Sequence, residues 1–167
     1  MGKNIVLIGM PGSGKTTIAK ALNRRLGLKF VDVDEYIEKY SGKSIPELFS
    51  VSESHFRNFE SEAILRLSMD HSLVIATGGG VVKNNININR LKKNGVIIFI
   101  DRPIENIAGD VEISKRPLLK DGVNKLYDLY NERYELYKKY SHFRVVNDSE
   151  IENVVENIID KYTSLID

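Results

Sequence analysis

The sequence predicts one three-layer α/β/α domain built on a parallel sheet, and three observations carry that expectation. Short β-branched runs recur along the 167 residues, helical periodicity fills the intervals, and several of the runs are apolar throughout rather than alternating. A continuous apolar run is how a strand reads when both faces of its sheet are covered. Strands alternating with helices form right-handed β-α-β units, which make the strands parallel. A chain of this length, 42% hydrophobic and 28% charged, buries roughly two-thirds of its unfolded surface and reads as a single domain, residues 1–167.

The strand candidates are "NIVLI" (Asn4 to Ile8), "KFVDV" (Lys29 to Val33), "LVIA" (Leu73 to Ala76), "VIIFI" (Val96 to Ile100) and "FRVV" (Phe143 to Val146). The first helix is marked by Ile18, Ala21, Leu22 and Leu26, spaced by three and four, with Gly27 as its stop. "SIPE" (Ser44 to Glu47) fits a capping box, and Ser52 caps the next helix, which carries "FRNFE". "NNININ" (Asn84 to Asn89) reads as a turn leading into a helix, and Ile151, Val154, Val155, Ile158 and Ile159 mark the last helix. The segment 109–122, "GDVEISKRPLLKDG", has poor periodicity, two glycines, a proline and mixed charge, and so reads as a mobile excursion from the domain rather than a core element.

Charge and composition exclude several classes. With 24 basic and 23 acidic residues and a net charge of +1, no global field exists to hold nucleic acid, so anion recognition has to be local. The five-residue apolar run near the N-terminus is too short for a signal-peptide core or a membrane span, which predicts a cytoplasmic protein without membrane partners. The absence of cysteine excludes disulfides and thiolate metal sites. His55, His71 and His142 have no metal-ligand spacing among themselves. A single domain with balanced charge makes a monomer the default expectation.

"GMPGSGKTT" (Gly9 to Thr17) follows the first strand, precedes the first helix and matches the phosphate-loop pattern G-x-x-x-x-G-K-[ST]. Its backbone N–H groups and the helix N-terminus can wrap phosphates, Lys15 can reach the β and γ oxygens, and the Thr16 hydroxyl can ligate Mg²⁺. The loop implies a nucleoside triphosphate and leaves the acceptor open. Asp32 and Asp34 stand at i and i+2 after the second strand, on one face if the chain is extended. They suit a metal shell and an acceptor hydroxyl; alternatively they are a solvated strand end and a cap for "EYIEKY". Arg57, three residues before Glu60, is either half of a surface ion pair or a fork that Glu60 aims at a carboxylate. Arg133, in "LYDLYNERYELYKKY", invites the same two readings, and its tyrosine stripe reads as packing. The triplet Gly78, Gly79 and Gly80 after the third strand is either a linker or a place where backbone approaches a ligand closely.

Taken in order, the phosphate loop, Asp-x-Asp, F-R-x-x-E, Gly-Gly-Gly, R-P-L-L and a later helical arginine resemble the shikimate kinase family, over Asn4 to Ile159. The resemblance implies a P-loop kinase fold with a five-stranded parallel sheet, a substrate-binding region over 32–60 and a lid over 109–122. It implies transfer of the γ-phosphoryl of ATP to the 3-hydroxyl of shikimate, giving shikimate 3-phosphate and ADP on the route to chorismate and the aromatic amino acids. Alternatives are another small-molecule P-loop kinase, of gluconate or nucleotide type, and an inactive kinase-like nucleotide-binding scaffold. By position, Gly12, Ser13, Gly14, Lys15, Thr16, Thr17 and Arg116 would hold ATP, and Thr16 with Asp32, through water, would hold Mg²⁺. Asp34, Arg57, Gly78, Gly79, Gly80 and Arg133 would hold shikimate, with the Gly79 N–H offered to the substrate and a Cβ there pushing the ring away. Lys15, Asp34 and Arg116 would carry catalysis. The family commonly has another lid arginine seven residues before that of R-P-L-L, where this chain has Gly109; Lys115 is a neighbouring cation. "VNDSE" (Val146 to Glu150) is the expected adenine-contacting loop.

Overall fold

The computed structural model describes residues 2–113 and 119–167, with side chains described outside 112–121. Five strands, β1 (Asn4–Ile8), β2 (Lys29–Asp32), β3 (Leu73–Ala76), β4 (Gly95–Asp101) and β5 (Phe143–Val146), form one sheet in the order β2-β3-β1-β4-β5. All four pairings are parallel, with Ile5 beside Val74 and Val96, and Ile98 beside Phe143. The apolar runs were legible as strands because both faces are covered. Along β1, Val6 and Ile8 enter one core with α2 (Val33–Ser41), α4 (Glu53–Leu67) and α7 (Leu119–Tyr140). Ile5 and Leu7 point the other way, into a core shared with α1 (Lys15–Leu26) and α8 (Ile151–Ile166).

Local signals set the helix ends. Gly27, at φ 68°, closes α1, and Ser44 and Glu47 complete the capping box that opens α3 (Ile45–Val51). Ser52 caps α4 and Asn84 caps α5 (Asn85–Asn94) through their side chains. One expectation changes: β2 ends at Asp32, whose carboxylate accepts from the Glu35 N–H and starts α2, so Asp34 lies in the first helical turn. The two carboxylates therefore do not share the face of an extended strand, and Asp32 rather than Asp34 is the cap. The expected lid is also partly helical. Gly109 lies in α6 (Ile104–Ile113) and Gly122 in α7, while 114–118, including Lys115 and Arg116, lie outside the described residues.

Candidate active site

The phosphate loop joins β1 to α1, and its glycines are required by geometry. Gly12 and Gly14 have φ of 80° and 97°, in a region that side chains other than glycine rarely adopt. The turn is closed by the Ser13 N–H donating to the Met10 carbonyl at 3.1 Å. Lys15 folds back over the loop, its Nζ donating to the Gly9 and Met10 carbonyls at 2.7 and 2.8 Å. Burial lowers its pKa to about 8, against the opposing pull of Asp34 and Asp32. The Thr16 hydroxyl donates to Asp32 Oδ2 at 3.0 Å, which brings the two expected metal-site residues together.

A polar cavity of about 410 Å³ opens on one side of this loop, walled by Asp34, Arg57, the three glycines and Arg133. Arg57 is no simple surface ion pair. Its Nη1 donates to Glu60 Oε1 at 2.9 Å, and Glu60 is almost fully buried. The guanidinium carbon also lies 5.2 Å from the ring centre of Phe56, which helps hold the fork in plane. Glu60 Oε2 and Arg133 Nε are buried with no partner among the described residues, and such groups call for a polar ligand or water. Burial raises the pKa of Glu60 and that of Asp34, where the Asp32 charge adds to the effect.

The glycine triplet owes its composition to close approach. A Cβ on Gly79 would stand 2.8 Å from Pro11 Cδ, and one on Gly80 would stand 2.6 Å from Arg57 Nη1. Pro11 and Arg57 thus each stand within reach of a side chain added to the triplet. A Cβ on Gly78 would lie 3.5 Å from both Asp34 Oδ1 and Glu60 Oε2, so the two carboxyl groups converge there.

Across the loop a second cavity, also about 410 Å³, is lined by Gly14, Thr17, Arg102 and the segment Asn147 to Ser149. Asn147 donates to the Ser13 carbonyl at 2.8 Å, fastening the "VNDSE" segment to the phosphate loop. Arg102 was not singled out in the sequence; it donates to the Gly12 carbonyl at 3.0 Å and pairs with Asp110 at 2.6 Å. Its signal was its position one residue beyond β4, where a parallel sheet presents its ligands. A Cβ on Gly109 would meet nothing within 4 Å. Among the described residues no group of three or more His, Cys, Asp or Glu could hold a metal, and no helix is long and apolar enough to cross a membrane.

A phosphate loop between two polar cavities, one bearing a carboxylate and two arginines, defines a small-molecule phosphotransferase of the P-loop class. A family model described as shikimate kinase matches residues 11–163. The shikimate kinase of Clostridium botulinum (strain Alaska E43 / Type E3) is 51% identical over 158 residues, covering 95% of this chain and 96% of its own. That of Clostridium beijerinckii is 50% identical over 158 residues, covering 95% and 94%. The solved shikimate kinase from Acinetobacter baumannii in complex with shikimate aligns with a TM-score of 0.89 at 32% identity, over 98% of this chain and 94% of that one. The chain belongs to the shikimate kinase family.

Proposed function

We propose that this chain transfers the γ-phosphoryl of ATP to the 3-hydroxyl of shikimate, giving shikimate 3-phosphate and ADP, as a cytoplasmic monomer serving chorismate and aromatic amino-acid synthesis. The observation that carries this reading is the placing of Arg57, Arg133 and Asp34 in one cavity beside the phosphate loop. Two guanidinium groups receive the acid's carboxylate by charge-assisted hydrogen bonds. Asp34 meets the ring hydroxyls and takes the proton of the attacking one. The hydroxyl oxygen forms a bond to the γ-phosphorus while the bond from that phosphorus to the ADP oxygen breaks. Burial raises the affinity of Asp34 for that proton.

ATP is placed with its phosphates in the loop, through Gly12 to Thr17, and its base towards Asn147 to Ser149. Lys15, already poised over the loop, turns from the Gly9 and Met10 carbonyls to the phosphate oxygens. Arg116 is assigned to the transferring phosphoryl from the lid, on the family resemblance. Thr16 and Asp32 fit Mg²⁺, which takes one or two protein oxygens and keeps several waters. When bound, the ion neutralises charge on the phosphates. Phosphoryl transfer leaves little covalent work to the protein, so positioning and neutralisation carry the rate.

The test is ADP formation with Mg²⁺ and ATP, with and without shikimate, beside gluconate and nucleoside monophosphate controls. Strong stimulation by shikimate alone is the expected result. ATP binding without stimulation would leave a kinase-like scaffold, and stimulation by a control would reassign the acceptor.

A further inference from the structure

Tyr137 is fully buried on α7, four residues after Arg133 and therefore one helical turn along the same face. Its ring stacks on Phe99 with centroids 5.2 Å apart, which leaves the hydroxyl little freedom to move. That hydroxyl donates to the Gly79 carbonyl at 2.6 Å. The positive charges of Arg133 and Arg57 both act on that hydroxyl. One hydroxyl, on the helix that carries a proposed carboxylate receptor, thus holds the glycine triplet.

The held carbonyl belongs to the Gly79–Gly80 peptide, which is trans like the rest of the described chain. A peptide unit is planar, so fixing its carbonyl also fixes the direction of the Gly80 N–H. On its other side the unit is confined by Pro11 of the phosphate loop, the nearest neighbour a Gly79 Cβ would meet. Packing of the core requires only the ring of Tyr137; a phenylalanine would fill the same space. The hydroxyl has a separate use.

We infer that Tyr137 is a positioning residue of the acceptor site, its hydroxyl locking the Gly79–Gly80 peptide into the single arrangement that receives the acid. The inference rests on the reading of this cavity as the shikimate site. Tyr137 touches neither reacting atom, and its contribution is to binding of the acceptor.

The experiment is steady-state kinetics of the Tyr137→Phe protein against the unaltered chain, varying shikimate and ATP separately, with Tm measured alongside. The unaltered chain is assayed first: no shikimate-dependent turnover overturns the functional reading itself, and the inference with it. Given turnover, removal of one partner of a buried hydrogen bond is expected to raise the shikimate KM about tenfold. The ATP KM should stay within about twofold and kcat within about threefold of the original. A shikimate KM that does not move, or that moves in step with the ATP KM, overturns the inference while leaving the function standing. Should Tyr137→Phe fail to fold, Phe99→Leu loosens the ring without touching the hydroxyl. It must raise the shikimate KM selectively, and an unselective change overturns the inference.

Discussion

Asp34 sits where burial and charge oppose one another. Desolvation and the neighbouring Asp32 raise its pKa above the ordinary 3.8, while Lys15 and Arg57 pull it back. As the proposed base, Asp34 must be ionised to take a proton, so a raised pKa moves the loss of activity on acidification to higher pH. The acid limb of kcat/KM for shikimate is therefore expected above the usual aspartate range, and a limb at or below 3.8 would exclude Asp34 as its source. Asp34→Asn should lower kcat by at least about tenfold, and an unchanged kcat would remove the residue from the mechanism. The two arginines predict a different split. Arg57→Ala and Arg133→Ala should each weaken shikimate use by on the order of tenfold or more, with ATP binding little altered, because each leaves a carboxylate short of a donor. Equal loss of ATP affinity in binding measurements would refute that assignment.

Among the elements, the phosphate loop and the glycine triplet make separable predictions. Lys15 has a pKa of about 8 before nucleotide arrives, and only its charged form can neutralise phosphate. As pH rises through that value the free enzyme loses the charge, so kcat/KM for ATP should fall on the alkaline side with a midpoint near it. A flat profile up to pH 10.5, the ordinary lysine value, would contradict this. In the triplet, a methyl at Gly79 meets the rigid Pro11 ring, whereas one at Gly80 meets the end of the Arg57 side chain, which can swing away. Gly79→Ala should therefore cost stability, by about 1–3 kcal/mol from overpacking. Gly80→Ala should fold nearly as well as the original and raise the shikimate KM, by displacing Arg57. Thermal unfolding and kinetics of the pair check both, and the reverse pattern would sink the distinction. The elements also show what a sequence displays and what it hides. Strand runs, the phosphate loop and the Ser44 and Ser52 caps are legible because each is specified by adjacent residues. The neighbours of Gly79 and Gly80 lie far along the chain, and no local pattern announces them. Asp32 misled for a related reason: one carboxylate serves both as helix cap and as partner of Thr16, and only the fold shows where the strand stops.

At the scale of the whole molecule, the strand order explains why donor and acceptor can meet. β1 lies at the centre of the sheet, with β3 and β2 to one side and β4 and β5 to the other. Chain leaving β2 and β3 supplies Asp34 and the glycines, which line the cavity proposed for the acid. Chain leaving β4 and β5 supplies Arg102 and Asn147, which line the cavity proposed for the nucleotide. The phosphate loop after β1 stands between them, so substrates held in the two cavities would reach it from opposite sides, as in-line transfer requires. Ordered motifs in the sequence named Asp34, Arg57, the glycines and Arg133, which the fold brings to one cavity. The nucleotide side was less legible, because Arg102 belongs to no motif and gains its place only when β4 is laid beside β1. This division predicts that the two binding functions separate under mutation. Arg102→Ala removes a cation from the nucleotide cavity and a donor to the Gly12 carbonyl. It should raise the ATP KM about fivefold or more, and leave the shikimate KM within about twofold, the converse of Arg133→Ala. A parallel rise in both constants would show that Arg102 acts through the shape of the loop, and the two sides would then have to be treated as one site.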